Sequence, residues 1–339
     1  MTLLPLLGGS LMGSAKAIVL FCNIKEVKIL LDELQYDWKY FGHVESELSI
    51  IKKYAFKGKF ITILYAGSIQ FLVVFNYLLS CIAPVLDLIA PLNESRRRIL
   101  IFPGEYYGQN EEHFFLILTI EWYGILCAGH FVFTVDTLYM TLMFHSCGMF
   151  AVLSQRLEKL KFQNFKAKRR VMVRSDIAIK QEEKIYLYLS ECVELHLKSI
   201  KFAERLNSTF NVAFITDLVI GVLIASVSAV KFVLSIDNSD QRMKYGLLYF
   251  TQSMRIFLNS FPGQLLIDHS SYIYIAASKN RWYELPEKSK RLLLIMMMRS
   301  ANPSKFIVAK IFLMNRELFS KVTRTCLSYC TVLLSIQHS

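Results

Sequence analysis

An all-α, polytopic membrane fold is what this 339-residue sequence predicts, and three observations predict it. The residues are 54% hydrophobic and only 19% charged, where soluble proteins carry about a quarter charged, and the mean hydropathy is +0.37. The apolar residues gather into six blocks, each near the roughly 20 residues that a helix needs to cross a bilayer. The Lys and Arg residues behind the net charge of +12 concentrate between those blocks, and in alternate connections.

The six blocks are Met1–Asn23, Phe60–Ala83, Phe114–Tyr139, Thr209–Leu234, Gly246–Ile267 and Ile307–Ser335. By hydropathy the fourth and sixth read as clear-cut. The fifth is interrupted by Arg255 and by Pro262-Gly263. The sixth carries Lys310, Arg316, Lys321 and Arg324 in its first half. That half is read as lying in the cytosol or in a protein interface, with membrane entry after Thr325. The whole divides into three N-terminal spans (1–153), a cytosolic helical loop (154–208), two further spans with a cytosolic segment (209–306) and a C-terminal helix (307–339).

Cytosolic connections carry an excess of Lys and Arg. Connections 24–59, 154–208 and 268–306 hold 27 such residues between them, while 84–113 and 235–244 hold five. The first set is therefore placed inside the cell. Asn93-Glu94-Ser95 then lies outside, so Asn93 is the expected glycosylation acceptor. This orientation starts the first block outside, which implies that one upstream span is missing. A cleaved signal peptide fits poorly, because no basic region precedes the apolar stretch and no small-residue cleavage site closes it.

Connection 24–59 reads as a helical extension, with Val27, Leu30, Leu31 and Leu34 at helical spacing. Connection 154–208 begins with Leu153, Leu157 and Leu160 on one face, passes the basic run Lys166–Arg170 and resumes as a helix over 185–206. Such a run suits a face near anionic lipid. It lacks the interleaved aromatics and motif of a nucleic-acid site, so no nucleic-acid partner is expected. In connection 84–113, Pro84, Pro91, Pro103 and Gly104 break helices, and Tyr106 and Tyr107 add aromatic surface. None of the seven Cys lies in an outer connection, so no extracellular disulfide framework is indicated. No metal-ligand spacing, phosphate loop or nucleophile motif is present, and no catalytic residue, cofactor or metal is assigned. His130 and Asp136 fall on different helix faces and read as polar glue between spans.

Several stretches resemble the insect odorant receptor family, in a hymenopteran style. They are His145-Ser146-Cys147-Gly148 followed by Leu153–Leu157, His196 with Phe202-Ala203-Glu204, and Phe261–Leu266 with Ser270, Ala276-Ala277 and Trp282. Arg299 with Pro303, and Ser328-Tyr329 with Thr331-Val332-Leu333, complete the series. Cys330 departs from the family's frequent Phe. The family has seven spans and a cytosolic N-terminus, which agrees with six spans visible here.

The resemblance implies an odorant-binding subunit of a ligand-gated, nonselective cation channel in the plasma membrane of olfactory neuron dendrites. It implies a heterotetramer with a shared co-receptor and a pore lined by the last helix of each subunit. The gate would fall on Val332 and Ile336, four apart on one helix face, with Ser335 beside it; apolar constrictions block ions by dewetting. A small volatile, apolar ligand calls for an apolar and aromatic pocket. The candidates are Phe71, Phe75 and Tyr77 on one span, Trp122 and Tyr123 on a second, and Tyr249, Phe250 and Met254 on a third. Gustatory receptors are the nearest alternative, but their terminal Gln stands closer to the Tyr than Gln337 does here. A G-protein-coupled receptor is disfavoured by the absence of the D-R-Y triplet and of N-P-x-x-Y after Asn302-Pro303.

Overall fold

Three helices far longer than a bilayer is thick set the architecture. The structure is a computed structural model that describes residues 4–90, 96, 100–101, 113–168, 175–235 and 239–338. Helices α1 (Leu4–Cys22) and α2 (Ile24–Phe41) follow one another directly. Then come α3 (Glu45–Ile89), α4 (Phe114–Lys168), α5 (Ser175–Leu234) and α6 (Ser239–Ser278). A single 3-10 turn at Trp282–Glu284 leads to α7 (Glu287–Ser300), strands β1 (Ile307–Val308) and β2 (Phe312–Leu313), and α8 (Arg316–His338). At about 1.5 Å per residue, the 60-residue α5 is roughly 90 Å long. One part of each long helix therefore serves the membrane and the other stands clear of it.

The apolar parts of α3, α4 and α5 are long and apolar enough to cross a membrane. Phe60, Ile63, Leu64, Phe71, Leu78 and Leu88 of α3 are all exposed. Such a wall of apolar side chains suits hydrocarbon as its solvent. The chain is thus a helical membrane protein, as its sequence predicts; four of the six blocks fall within α3, α4, α5 and α6, and α1 covers residues 4–22 of the first.

The sixth block differs from expectation. Ile307–Ser335 is not one helix: its start folds into the β1–β2 hairpin, and α8 begins only at Arg316. Among the described residues α8 holds no window apolar enough to count as a span by itself. Ala309, Lys310 and Ile311 form the connection between the strands, and Ala309 and Lys310 take φ of 53° and 58°, the left-handed geometry common in tight hairpins. Neither is Gly, so the conformation depends on outside support, and α5 supplies it. Asn207 Oδ1 accepts from the Ile307 amide at 2.8 Å, while Asn211 donates to the Ile307 carbonyl at 2.6 Å and accepts from Ala309.

The basic half of the bundle packs as a water-soluble protein does. Its core joins Phe150, Leu153, Leu157 and Leu160 of α4, Leu189, Leu195 and Phe202 of α5, Ile273, Ala276 and Ala277 of α6, and Leu293 and Met296 of α7. Val27 and Leu30 of α2 are buried against it; Leu34 is partly buried and Leu31 turns outward. Ion pairs, two of them buried, join its helices. Arg156 grips Glu47 through both Nε and Nη2, at 2.8 and 2.7 Å, Asp37 meets His145 and Lys198, and Arg205 meets Glu33.

His196 lies in this extramembrane half, buried on α5 with its ring against Phe150. Burial first, then the nearby Arg299 charge, lowers its pKa from 6.5 to about 4. The unfolded chain therefore binds more protons than the folded one between those values, and stability falls as pH drops through the window. The melting temperature of detergent-solubilised protein should decline from pH 6.5 towards 4, and His196→Phe should flatten that part of the profile.

Candidate functional site

A cavity of about 230 Å³ opens between α1, α3, α4 and α6. Its wall is mainly apolar: Met12 from α1, Ile69 and Val73 from α3, Ile125, Ala128 and Val132 from α4, and Leu247, Leu248, Phe250 and Met254 from α6. Because the helices alternate in direction, Asn76, Ile101 and Lys244 stand at one end, and Tyr65, Gln252 and Arg255 at the other. The Lys244 ammonium donates to the Ile101 carbonyl, and the Ile101 amide donates to Glu121 at 3.0 Å. These bonds tie the end of the connection after α3 to both α4 and α6.

Behind Tyr65 and Arg255 lies a buried ionic cluster drawn from α1, α3, α4, α5 and α6. Lys16 of α1 contacts Asp136 of α4 and, at 2.7 Å, Asp217 of α5. Asp217 also binds Arg255 of α6, and Tyr65 of α3 donates to Asp136 at 2.7 Å. Asn259 donates to Asp217 at 3.3 Å. Two cations thus face two carboxylates, so the cluster carries no net charge where an unbalanced one would be expensive. The sequence reading named Asp136 as glue but did not assemble the cluster. Its signal was present, since Lys16, Asp136, Asp217 and Arg255 each interrupt an apolar block.

Beyond the cluster the contacts continue to the C-terminal hairpin. The Tyr139 hydroxyl donates to the Asn259 carbonyl at 3.4 Å, and its ring packs on Phe214 and on Phe306, with centroids 4.3 and 5.0 Å away. Phe306 precedes β1 and its carbonyl accepts from Met314, just after β2. The Met314 carbonyl in turn lies against Gly263 of α6, where an added Cβ would approach it to 2.0 Å.

Of the residues proposed from sequence for the pocket, Phe250 and Met254 stand on the cavity wall. Phe71 and Phe75 stack on each other, centroids 5.7 Å apart, off the wall, and Phe71 is exposed. Tyr77 packs on Trp122 at 5.4 Å, both against a small cluster of Ile101, Phe114 and Leu118 next to the cavity. Tyr123 is exposed and Tyr249 is half-buried, both away from the wall. Val332 is exposed on α8. Asn93 and the side chains of Ser335 and Ile336 lie outside the described residues, as do Arg169 and Arg170. His130 is exposed and bonds to Gln70 and to its own helix.

A sequence profile described as 7tm Odorant receptor matches residues 1–327. The chain belongs to the 7tm odorant receptor family. Its similarity to the following members is distant. It is 24% identical over 200 residues to odorant receptor 10 of Aedes albopictus, covering 58% of this chain and 50% of that one. It is 23% identical over 159 residues to odorant receptor 33b of Drosophila melanogaster, covering 46% and 42%. The chain thus spans half the length or less of these relatives. Among solved structures it is similar to the olfactory receptor OR5 of Machilis hrabei in complex with eugenol, with a TM-score of 0.74 and 16% identity. That match covers 99% of this chain and 81% of the other. The same receptor described without eugenol gives a TM-score of 0.65 and 15% identity, over 98% and 80%. At such identities the likeness establishes the odorant receptor fold.

Proposed function

We propose that this family member is the odorant-binding subunit of a ligand-gated, nonselective cation channel, assembled with a co-receptor in the plasma membrane of olfactory neuron dendrites. The observation that carries the reading is the mainly apolar cavity whose inner end connects, through the ionic cluster, Tyr139 and Phe306, to the hairpin that leads into α8. A small volatile molecule seated against Phe250 and Met254 would bear on α6, and α6 meets the hairpin at Gly263. Gating is then a population shift, in which the ligand favours the open arrangement by its difference in affinity between the two. Tyr77 and Trp122 back the cavity in this reading. Phe71, Phe75, Tyr123 and Tyr249 reach the ligand only if α3, α4 or α6 turns. Val332 and Ile336 would form the apolar gate, with Ser335 beside them.

Expression in cells with and without an insect co-receptor, with whole-cell recording across an odorant panel, tests the proposal. Silence alone and odorant-evoked cation current with the co-receptor are expected. Met254→Ala should shift the half-maximal odorant concentration upward by about tenfold, the order expected for removing a well-packed apolar side chain. Currents that require G-protein signalling, or none with any partner, would overturn it.

A further inference from the structure

Just before its apolar wall begins, α3 carries Lys52, Lys53, Lys57 and Lys59 within two turns. All four are exposed, and none enters an ion pair among the described residues. Carboxylates close by are otherwise engaged. Glu47 of the same helix is held by Arg156, and Asp268 of α6 accepts from Gln264 at 2.8 Å. Lys57 lies 5.1 Å from the centroid of the Tyr54 ring.

Packing on the far side of the helix fixes which way the lysines face. Ile51, Tyr54 and Gly58 are buried. Gly58 lies against Phe144 of α4, and Gly148 of α4 lies against Ile51; an added Cβ would come within 3.3 and 3.2 Å respectively. At 3.6 residues per turn the outward face is then ordered. Phe56, Phe60 and Ile63 form a central stripe, with Lys52 and Lys59 along one edge and Lys53 and Lys57 along the other. Phe56 and Phe60 are 70% and 61% exposed, and the stripe runs on into the apolar wall at Leu64 and Phe71.

Lysine stems lie along apolar surface while their ammonium groups reach for a polar layer. Lys52 and Lys59 are separated by about 10 Å along the axis, so flexible stems can bring both heads to one headgroup layer, about 5–7 Å deep. We propose that this face of α3 docks an anionic phospholipid of the leaflet on the basic side of the bundle. Its phosphate sits between the two lysine rows at the level of Phe56, and its acyl chains lie along Phe60, Ile63 and Leu64. An acidic protein segment would match the lysines but not a stripe that continues into hydrocarbon. The site concerns the membrane surface and does not depend on the odorant reading above.

The test titrates the full chain, purified in detergent, with dioctanoyl phosphatidylserine and dioctanoyl phosphatidylcholine, and counts bound lipid by native mass spectrometry. The wild type should bind the serine lipid at least about tenfold tighter than the choline lipid. A lysine near an anionic surface is worth roughly fivefold in affinity, the equivalent of about 1 kcal/mol. Lys52→Gln with Lys59→Gln should therefore remove most of the preference, and adding Lys53→Gln with Lys57→Gln should bring the two lipids to parity. Lys288→Gln with Arg291→Gln, an equal loss of charge at exposed positions of α7, should leave the preference unchanged. Equal binding of the two lipids by the wild type, a preference that survives all four α3 substitutions, or an α7 variant that loses as much as the Lys52 and Lys59 pair would overturn the proposal. If the fourfold variant does not fold, the α3 pair set against the α7 pair decides.

Discussion

Replacing Lys16 with Met is expected to abolish recovery of a monodisperse protein, the largest effect of any single side chain outside the extramembrane core. Lys16 and Asp136 are both 0% exposed, and Lys16 is the group that joins Asp136 to Asp217. Without it, Asp136 keeps, among the described residues, only the Tyr65 hydroxyl, and Arg255, paired with Asp217, is the one cation left in the cluster. Removing one partner of a buried pair costs about 3–5 kcal/mol, comparable with the roughly 5–15 kcal/mol that holds a typical domain together. The loss comes from the stranded charge rather than from lost packing. Adding Asp136→Asn to Lys16→Met should therefore recover much of the melting temperature, as read by fluorescence size-exclusion after heating. A single variant that melts like the wild type, or a double variant worse than the single, would show that the cluster does not govern stability.

Gly263→Ala is expected to disable the protein by a different route. The new Cβ would sit 2.0 Å from the Met314 carbonyl oxygen. A backbone atom between a hairpin and a helix start cannot swing aside as a side chain would. Overpacking typically costs about 1–3 kcal/mol, and here it must be relieved by parting α6 from the hairpin. A lower melting temperature is expected, together with loss of odorant-evoked current even where protein reaches the surface. Gly124→Ala is the control, since its added Cβ meets nothing within 4 Å. There the substitution should be neutral or gain about 0.5–1 kcal/mol from helix propensity. Equal behaviour of the two variants would mean that the approach at Gly263 is not close in the folded protein.

Hydropathy made the spans legible because long apolar runs leave a chain few alternatives in lipid. It could not say which face of a span looks inward. In a helix apolar on all sides no amphipathic stripe marks the buried face. Phe71 and Phe250, alike in the sequence, therefore ended on different sides of the cavity wall. The Ile307–Ser335 block misled for another reason. Ala309-Lys310 carries none of the Asn-Gly signature of a tight hairpin, and its turn is held by Asn207 and Asn211, about a hundred residues away. The charged residues within the apolar blocks were visible one by one. Their pairing was not, since each partner lies on a different helix.

The sequence separation within the ionic cluster bears on how the protein is made. Lys16 precedes its first carboxylate partner by 120 residues. At about 5–20 residues per second, a ribosome delivers Asp136 several seconds or more after Lys16 has reached the translocon. During that interval a lone ammonium sits in α1, at an insertion penalty of about 2.5–3.5 kcal/mol. Biogenesis must therefore shelter α1 until α4 emerges, which makes the supply of insertion chaperones a determinant of how much receptor a cell can display.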